Sequence, residues 1–356
     1  MFCPKCGKEV QEGSSFCGNC GASIAGKAPN VASGAATQSA GAGAPVSSAA
    51  TATSTEGTVK KSGKKKKGPI AIVAAIVVVV IVAVIGINVF GGGSGVAVKD
   101  STEAYTWDEL SKISGEIAKA SDENAAIEVA KKYHLTTADG KLDGTQTKSV
   151  TLSNGTQTAV QIVGFAHDEK ADGGKAGITF IFKDCIGDRS MNPTDTNAGG
   201  WEKSEMRSYL NSEGLNLLPA DLKEKVVSVN KLTNNVGETQ NVSSVTKTVD
   251  KLWLFSFVEL AGNVNQSDFS SSYGYIADIF NGEGSKYKLF RDVNVDNFNS
   301  NSILEKTFNG QSDGWWERSP LPDYSGYFVP VNSVGGPTGG GYPASSSLGV
   351  CPGFCI

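Results

Sequence analysis

Two near-copies of one six-residue phrase open the chain: Phe2-Cys3-Pro4-Lys5-Cys6-Gly7 and Phe16-Cys17-Gly18-Asn19-Cys20-Gly21. Few sequence features constrain a fold so tightly. Two C-x2-C knuckles bring four thiolates to one point, the tetrahedral sulfur set that suits a structural Zn²⁺. The glycine behind each second cysteine frees the backbone to turn, so that amides can point at the sulfurs. Residues 1–24 are therefore expected to form a zinc ribbon with Cys3, Cys6, Cys17 and Cys20 as metal ligands. A disulfide pairing is the weaker reading, because lysines and an apolar run further on place this end in the reducing cytosol.

Charge divides the chain. The 356 residues carry a formal net charge of −4. Residues 1–68 hold nine lysines and three glutamates, a balance of +6, whereas residues 91–356 hold 23 basic and 33 acidic side chains, a balance of −10. Neutralising phosphates needs clustered Lys and Arg, so an acidic carboxyl-terminal region argues against nucleic acid as a partner. Four thiolates around Zn²⁺ would leave the ribbon locally negative as well.

Between these regions, Pro69 to Phe90 reads without one ionisable side chain. Twenty-two residues at 1.5 Å rise reach about 33 Å as a helix, enough for a bilayer core of about 30 Å. The segment is expected to be a transmembrane helix, since unpaired backbone in lipid is too costly for any other form of so β-branched a run. Lys60, Lys61 and Lys64 to Lys67 precede it, and positive flanks stay on the cytoplasmic side. The expected location is the plasma membrane with a single pass, the amino terminus cytoplasmic and the carboxyl terminus extracytoplasmic. The same lysines suit anionic lipid headgroups.

Residues 25–68 are an Ala/Gly/Ser/Thr linker ending in the lysines, too poor in apolar groups to repay ordering. Residues 91–101 form a short hinge. From 102 to 146 the pattern is helical. Thr106 and Glu109 make a capping box in front of an apolar face at Leu110, Ile113 and Ile117, and Ser121 to Asn124 caps a second helix running to about His134. An α+β domain is expected over 147–356. Its strands lie near 148–153, 157–166, 177–184, 226–231 and 252–255, with an Asn154-Gly155 hairpin turn. An amphipathic helix is expected over 201–211, and a shorter one follows Pro219. The fold class is thus multi-domain: a small zinc ribbon, one transmembrane helix and an α+β extracytoplasmic domain.

Trp315, Trp316, Tyr324, Tyr327 and Phe328 can form a stacking platform for a sugar or peptide in an exposed loop, or the tryptophans can fill the core of a small sheet. Arg318 can hold an anionic ligand by bidentate contacts, or close a buried ion pair with Glu259. Catalysis finds little support. There is no phosphate-binding loop in a strand–helix context and no G-x-S-x-G elbow, the two histidines read as surface residues, and the aspartates are too loosely spaced for an EF-hand.

Four stretches carry a family resemblance: Gly200-Trp201-Glu202-Lys203-Ser204-Glu205-Met206-Arg207, Asp250-Lys251-Leu252-Trp253-Leu254, Trp315-Trp316-Glu317-Arg318-Ser319-Pro320 and Gly349-Val350-Cys351-Pro352-Gly353-Phe354. On these residues the region from about 200 to 356, extending upstream to the strands near 150, resembles a bacterial domain-of-unknown-function family, number 6273. Many relatives carry Leu where Glu317 stands and Arg where Cys351 stands. The resemblance implies a fold similar to C-type lectins and formylglycine-generating enzymes, a loop-decorated binding scaffold, which by itself supplies no ligand. The amino-terminal ribbon resembles the short zinc ribbons that begin many bacterial membrane proteins.

Three further cysteines, Cys185, Cys351 and Cys355, are odd in number. In an extended 348–356, Cys351 and Cys355 lie about 13 Å apart, beyond the roughly 7 Å limit on a bridge. Any disulfide then joins Cys185 to one of them; in a reducing habitat all three act as apolar fillers. The expected function is a non-enzymatic, single-pass membrane protein. It displays an extracytoplasmic domain for a carbohydrate or protein ligand, and its zinc ribbon serves a cytosolic protein partner. The alternatives are a transmembrane sensor and an enzyme of the formylglycine-generating type using Cys351 or Cys355.

Overall fold

The structure is a computed structural model that describes Phe2 and residues 95–268, 274–297 and 299–356. The ribbon cysteines, the linker and the 69–90 segment lie outside the described residues. Among the described residues no helix is long and apolar enough to cross a membrane. That corrects the expected fold class, which counted one transmembrane helix. A mixed α+β unit with several small sheets is described instead, and the lectin-like fold that the resemblance implied is not shown.

The unit opens as its sequence dictates. Helix α1 (Trp107–Ile117) begins at Thr106, whose side chain accepts from the Glu109 amide while Glu109 reaches back to the Thr106 amide. This reciprocal box satisfies two of the orphan donors of the first turn. Leu110, Ile113 and Ile117 are buried on the face that their 3- and 4-residue spacing defines. Helix α2 (Glu123–Lys132) is capped by Asp122.

Next come β1 (Thr147–Thr151), β2 (Gln157–Phe165), β3 (Ile178–Phe182) and β4 (Asp188–Arg189). Strands β1 and β2 pair as an antiparallel hairpin across Asn154-Gly155, and Gly155 has the positive φ of 85° that such a turn needs. The amphipathic segment after Gly199 breaks into α3 (Gly200–Lys203), α4 (Glu205–Tyr209), a π-helical turn (Leu210–Gly214) and α5 (Leu215–Leu217). Ser204 explains the first break: it adopts extended backbone and caps α4 through its side chain to the Arg207 amide. Helix α6 (Ala220–Lys223) follows Pro219.

Strands β5 (Val229–Asn234) and β6 (Val245–Asp250) form a separate two-stranded sheet. Helices α7 (Phe257–Ala261), α8 (Gly274–Asn281) and α9 (Lys288–Asp292) precede β7 (Lys306–Phe308) and β8 (Gln311–Asp313). The chain ends with β9 (Trp315–Pro320), β10 (Tyr327–Val331), β11 (Tyr342–Pro343), β12 (Leu348–Gly349) and β13 (Gly353–Cys355).

Two larger sheets organise these strands. One has the order β1-β2-β3-β13, the other β11-β10-β9-β12-β4. The carboxyl-terminal segment therefore serves both: β12 lies beside β9, and four residues later β13 closes on β3. Residues 252–255, expected as a strand, join the ladder only through a Trp253–Gly353 bridge.

One hydrophobic core runs from Tyr105 through Ile356 and takes in Trp107, Trp201, Trp253, Trp315 and Trp316. A second, smaller cluster gathers Phe257, Ala261, Val264, Ile276, Ala277, Phe280 and Val329. Charged side chains are buried as well, among them Asp168, Lys231, Glu259, Glu283, Glu317 and Arg318.

Candidate functional site

The expected aromatic platform divides in two. Every residue of β9 is buried. Trp315 donates its indole N–H to the Leu304 carbonyl at 2.9 Å, and Trp316 donates to the Arg189 carbonyl at 2.9 Å. Both rings are core fillers with satisfied polar ends, so neither is part of an exposed platform.

Arg318 is fully buried and spends its guanidinium on the protein. Its Nε donates to Thr233 Oγ1 at 2.7 Å, Nη1 to Glu259 Oε2 at 2.5 Å and the Leu254 carbonyl at 2.8 Å, and Nη2 to the Leu232 and Glu283 carbonyls at 3.0 Å each. A guanidinium has five N–H donors, and five acceptors surround this one. The buried pair with Glu259 is thus the role realised, and no donor is left for an anionic ligand.

Glu259 bridges that arginine to a second cation. Its Oε1 lies 2.6 Å from Lys231 Nζ, which also contacts Asp168 Oδ1 at 2.8 Å. Tyr287 donates to Asp168 at 2.7 Å, and Thr179 donates to its other oxygen at 2.7 Å. Burial alone would raise both carboxyls. Lys231 beside Asp168, and Arg318 and Lys231 beside Glu259, outweigh it and hold both below the usual carboxylate range. Two anions and two cations, each side chain nearly inaccessible to solvent, make a neutral block that joins the end of β2, β5, α7 and β9.

Two more carboxyls border the block without a cation of their own. Glu283 accepts from the Asn234 amide at 2.9 Å and from the Ser319 hydroxyl. Burial raises its carboxyl to about 7 against the pull of Arg318. Glu317 is fully buried and neither of its oxygens has a hydrogen-bond partner. Burial first, then Glu283 nearby, pushes it well above its ordinary value.

The remaining aromatic candidates behave differently. Tyr324 is 49% exposed, Tyr327 is half-buried, and their rings lie 4.3 Å apart at a tilt of 41°. Tyr324 sits in the turn between β9 and β10 and Tyr327 at the start of β10, and Asn197 holds that turn. The Asn197 amide group lies within 3.0 Å of the Leu321, Tyr324 and Tyr327 carbonyls, and its backbone N–H donates to the Ser325 carbonyl at 2.7 Å. Its own side-chain oxygen accepts from the Glu238 amide at 3.1 Å. Gly237 is required beneath it: φ is +102°, and a Cβ there would fall 2.4 Å from the Asn197 carbonyl. Thr239 adds a bond to the Pro322 carbonyl at 2.8 Å. The tyrosine pair is thus carried on a turn fixed from beneath by a buried side chain.

Asp323, in the same turn, is half-buried, and its Oδ1 has no partner. Burial, then Glu238, raises its carboxyl. Asn197 was not foreseen: a lone Asn in a loop carries no spacing signal, and the carbonyls its side-chain amide meets lie more than 120 residues further on.

The histidines lie apart from one another. His134 is exposed and contacts the Lys99 carbonyl through Nδ1 at 2.8 Å. His167 is half-buried and stacks on Tyr287 at 3.9 Å; burial lowers its pKa. Cys185, Cys351 and Cys355 are all buried free thiols, so the expected bridge to Cys185 is not formed in this structure. No group of three or more His, Cys, Asp or Glu side chains suited to a metal occurs among the described residues.

Residues 2–24 match the zinc-ribbon domain, which suggests zinc binding at the cysteine-bearing end. Residues 176–356 match the family described as a domain of unknown function (DUF6273). No curated protein and no solved structure matches the chain. The second match begins at Ala176, downstream of the strands near 150, and takes in Lys231, Glu259, Arg318 and the tyrosine turn. It spans just over half of the sequence, and the chain therefore belongs to the DUF6273 family.

Proposed function

We propose that the globular unit is a ligand-binding module and that its contact surface is the Tyr324–Tyr327 turn. One observation carries this reading. A solvent-facing aromatic pair rests on a turn whose carbonyls are already held by buried Asn197, so little ordering entropy remains to be lost when a ligand stacks there. A carbohydrate or a protein ligand suits stacked tyrosines with hydroxyl tips. The thiols of Cys351 and Cys355 lend no support to a nucleophilic reaction, since burial raises both and neither reaches solvent.

The ribbon cysteines Cys3, Cys6, Cys17 and Cys20 would hold a structural Zn²⁺ and present a surface to a protein partner. An extracytoplasmic position for the globular unit, with the ribbon in the cytoplasm, rests on the lysines at 60–67 and the polarity of the flanks.

The full chain applied to glycan and cell-wall arrays tests the module. Binding should fall at least tenfold in Tyr324→Ala and Tyr327→Ala, with circular dichroism unchanged. Absence of binding on every array, or binding indifferent to both substitutions, overturns the reading.

A further inference from the structure

We infer that Cys185 and Cys351 are a disulfide-forming pair that can cross-link the turn after β3 to the segment between β12 and β13. The backbone sets them against each other. Beyond β4 and β12, which pair antiparallel at Asp188–Gly349, the Ile186 amide donates to the Val350 carbonyl and the Val350 amide to the Gly187 carbonyl, each at 2.9 Å. Two residues of one strand thus oppose one of the other, a bulge after which Cys185 falls opposite Cys351.

The sulfurs cross the same gap. Cys185 Sγ lies so close over Gly349 that a Cβ there would meet it at 2.4 Å. Cys351 Sγ in turn lies 3.9 Å from the Asp184 carbonyl, next to Cys185. Charge on Cys351 is felt at Cys185, whose thiol it raises after burial itself.

Cys355 is placed elsewhere. Its Sγ sits 3.2 Å from Thr179 Oγ1 and 3.4 Å from Asp168 Oδ2, at the edge of the buried charge block. The Cys351 thiol currently lies 2.8 Å from the Phe182 carbonyl, but Lys306 Nζ donates to the same oxygen at 3.0 Å. Bridging the cysteines therefore leaves no orphaned acceptor.

The chemistry is thiol–disulfide exchange with a low-molecular-weight or protein disulfide. One cysteine attacks the donor disulfide and releases one donor thiol; the second attacks the resulting mixed disulfide and releases the other. The pair loses two electrons to the donor, and the two thiol hydrogens end on the two thiols released. Burial of both sulfurs makes the exchange slow in the closed fold, so it proceeds through local opening.

The test equilibrates the folded full chain with a glutathione redox buffer in sub-denaturing urea. Remaining thiols are then alkylated and the peptides mapped by mass spectrometry. The expected result is a peptide linking Cys185 to Cys351 with Cys355 alkylated, and an alkylated Cys351 in Cys185→Ala. Alkylation of all three thiols, glutathione adducts without a protein bridge, or a bridge to Cys355 or to a ribbon cysteine overturns the inference.

Discussion

At the residue scale, neighbouring side chains in β9 show how differently buried charge is handled. Arg318 has five acceptors, one of them a carboxylate; neither oxygen of Glu317 has a hydrogen-bond partner. Removing Arg318 takes from Glu259 one of its two cations, leaving it Lys231, and strands several buried carbonyls. Arg318→Ala is expected to lower unfolding free energy by about 3–5 kcal/mol, read from the urea midpoint. The opposite holds next door. A buried polar group without a partner costs on the order of 1–3 kcal/mol, so Glu317→Leu should raise the midpoint. A lower midpoint would show that a partner for this carboxyl exists after all. The Arg318–Glu259 pairing was one of two readings open in the sequence, because charge type was legible there and burial was not. Glu283, Lys231 and Asp168 gave no signal, since nothing in a strand pattern marks which lysine turns inward.

At the element scale, local codes decided local structure. The Thr106–Glu109 box starts α1 where the sequence places it, and Thr106→Ala should cost about 1 kcal/mol, measured by thermal or urea unfolding. Asn154-Gly155 likewise makes its hairpin, because positive φ is a property of the residue itself. Longer elements fared less well. The helix read over 201–211 breaks at Ser204, a capping residue inside an amphipathic pattern. The stretch 252–255 is apolar because it is buried, and it forms no full strand. No helix is read in the sequence beyond the one after Pro219, yet α7, α8 and α9 form there; at five to eight residues they are too short for a helical period to show. The tyrosine turn depends on Asn197 in the same non-local way. Asn197→Ala should leave the tyrosines in place chemically yet weaken ligand binding several-fold. It should also raise amide exchange in 321–327, which a purely structural role elsewhere would not do.

For the whole molecule, pH dependence follows from the two groups of buried acids. Asp168 and Glu259 have lowered pKa values, so their contribution is present above the unfolded carboxyl range and is lost as pH falls. Glu283, raised to about 7 from an ordinary 4.5, and Glu317, also raised, contribute stability that is full below 4.5 and lost as pH rises through the folded value. Stability should therefore peak in mildly acidic solution and decline on the alkaline side. Glu283→Gln combined with Glu317→Gln should flatten that decline in urea titrations from pH 5 to 9. At the other end of the chain, metal analysis should find one Zn²⁺ per chain, lost in Cys3→Ser and Cys17→Ser.

What the sequence determined by itself is whatever a few adjacent residues encode: the paired C-x2-C phrases that match a zinc ribbon, the capping box, the hairpin turn and the motifs of the DUF6273 family. What only the tertiary structure decided is which polar groups leave water and whom they meet there. Arg318, Glu259, Lys231 and Asp168 are distant in sequence and are neutralised by one another only because β5, α7, β9 and the end of β2 converge. The physical reason is that the cost of burying a charge depends on its neighbours in space, and those neighbours are set by the packing of sheets and helices.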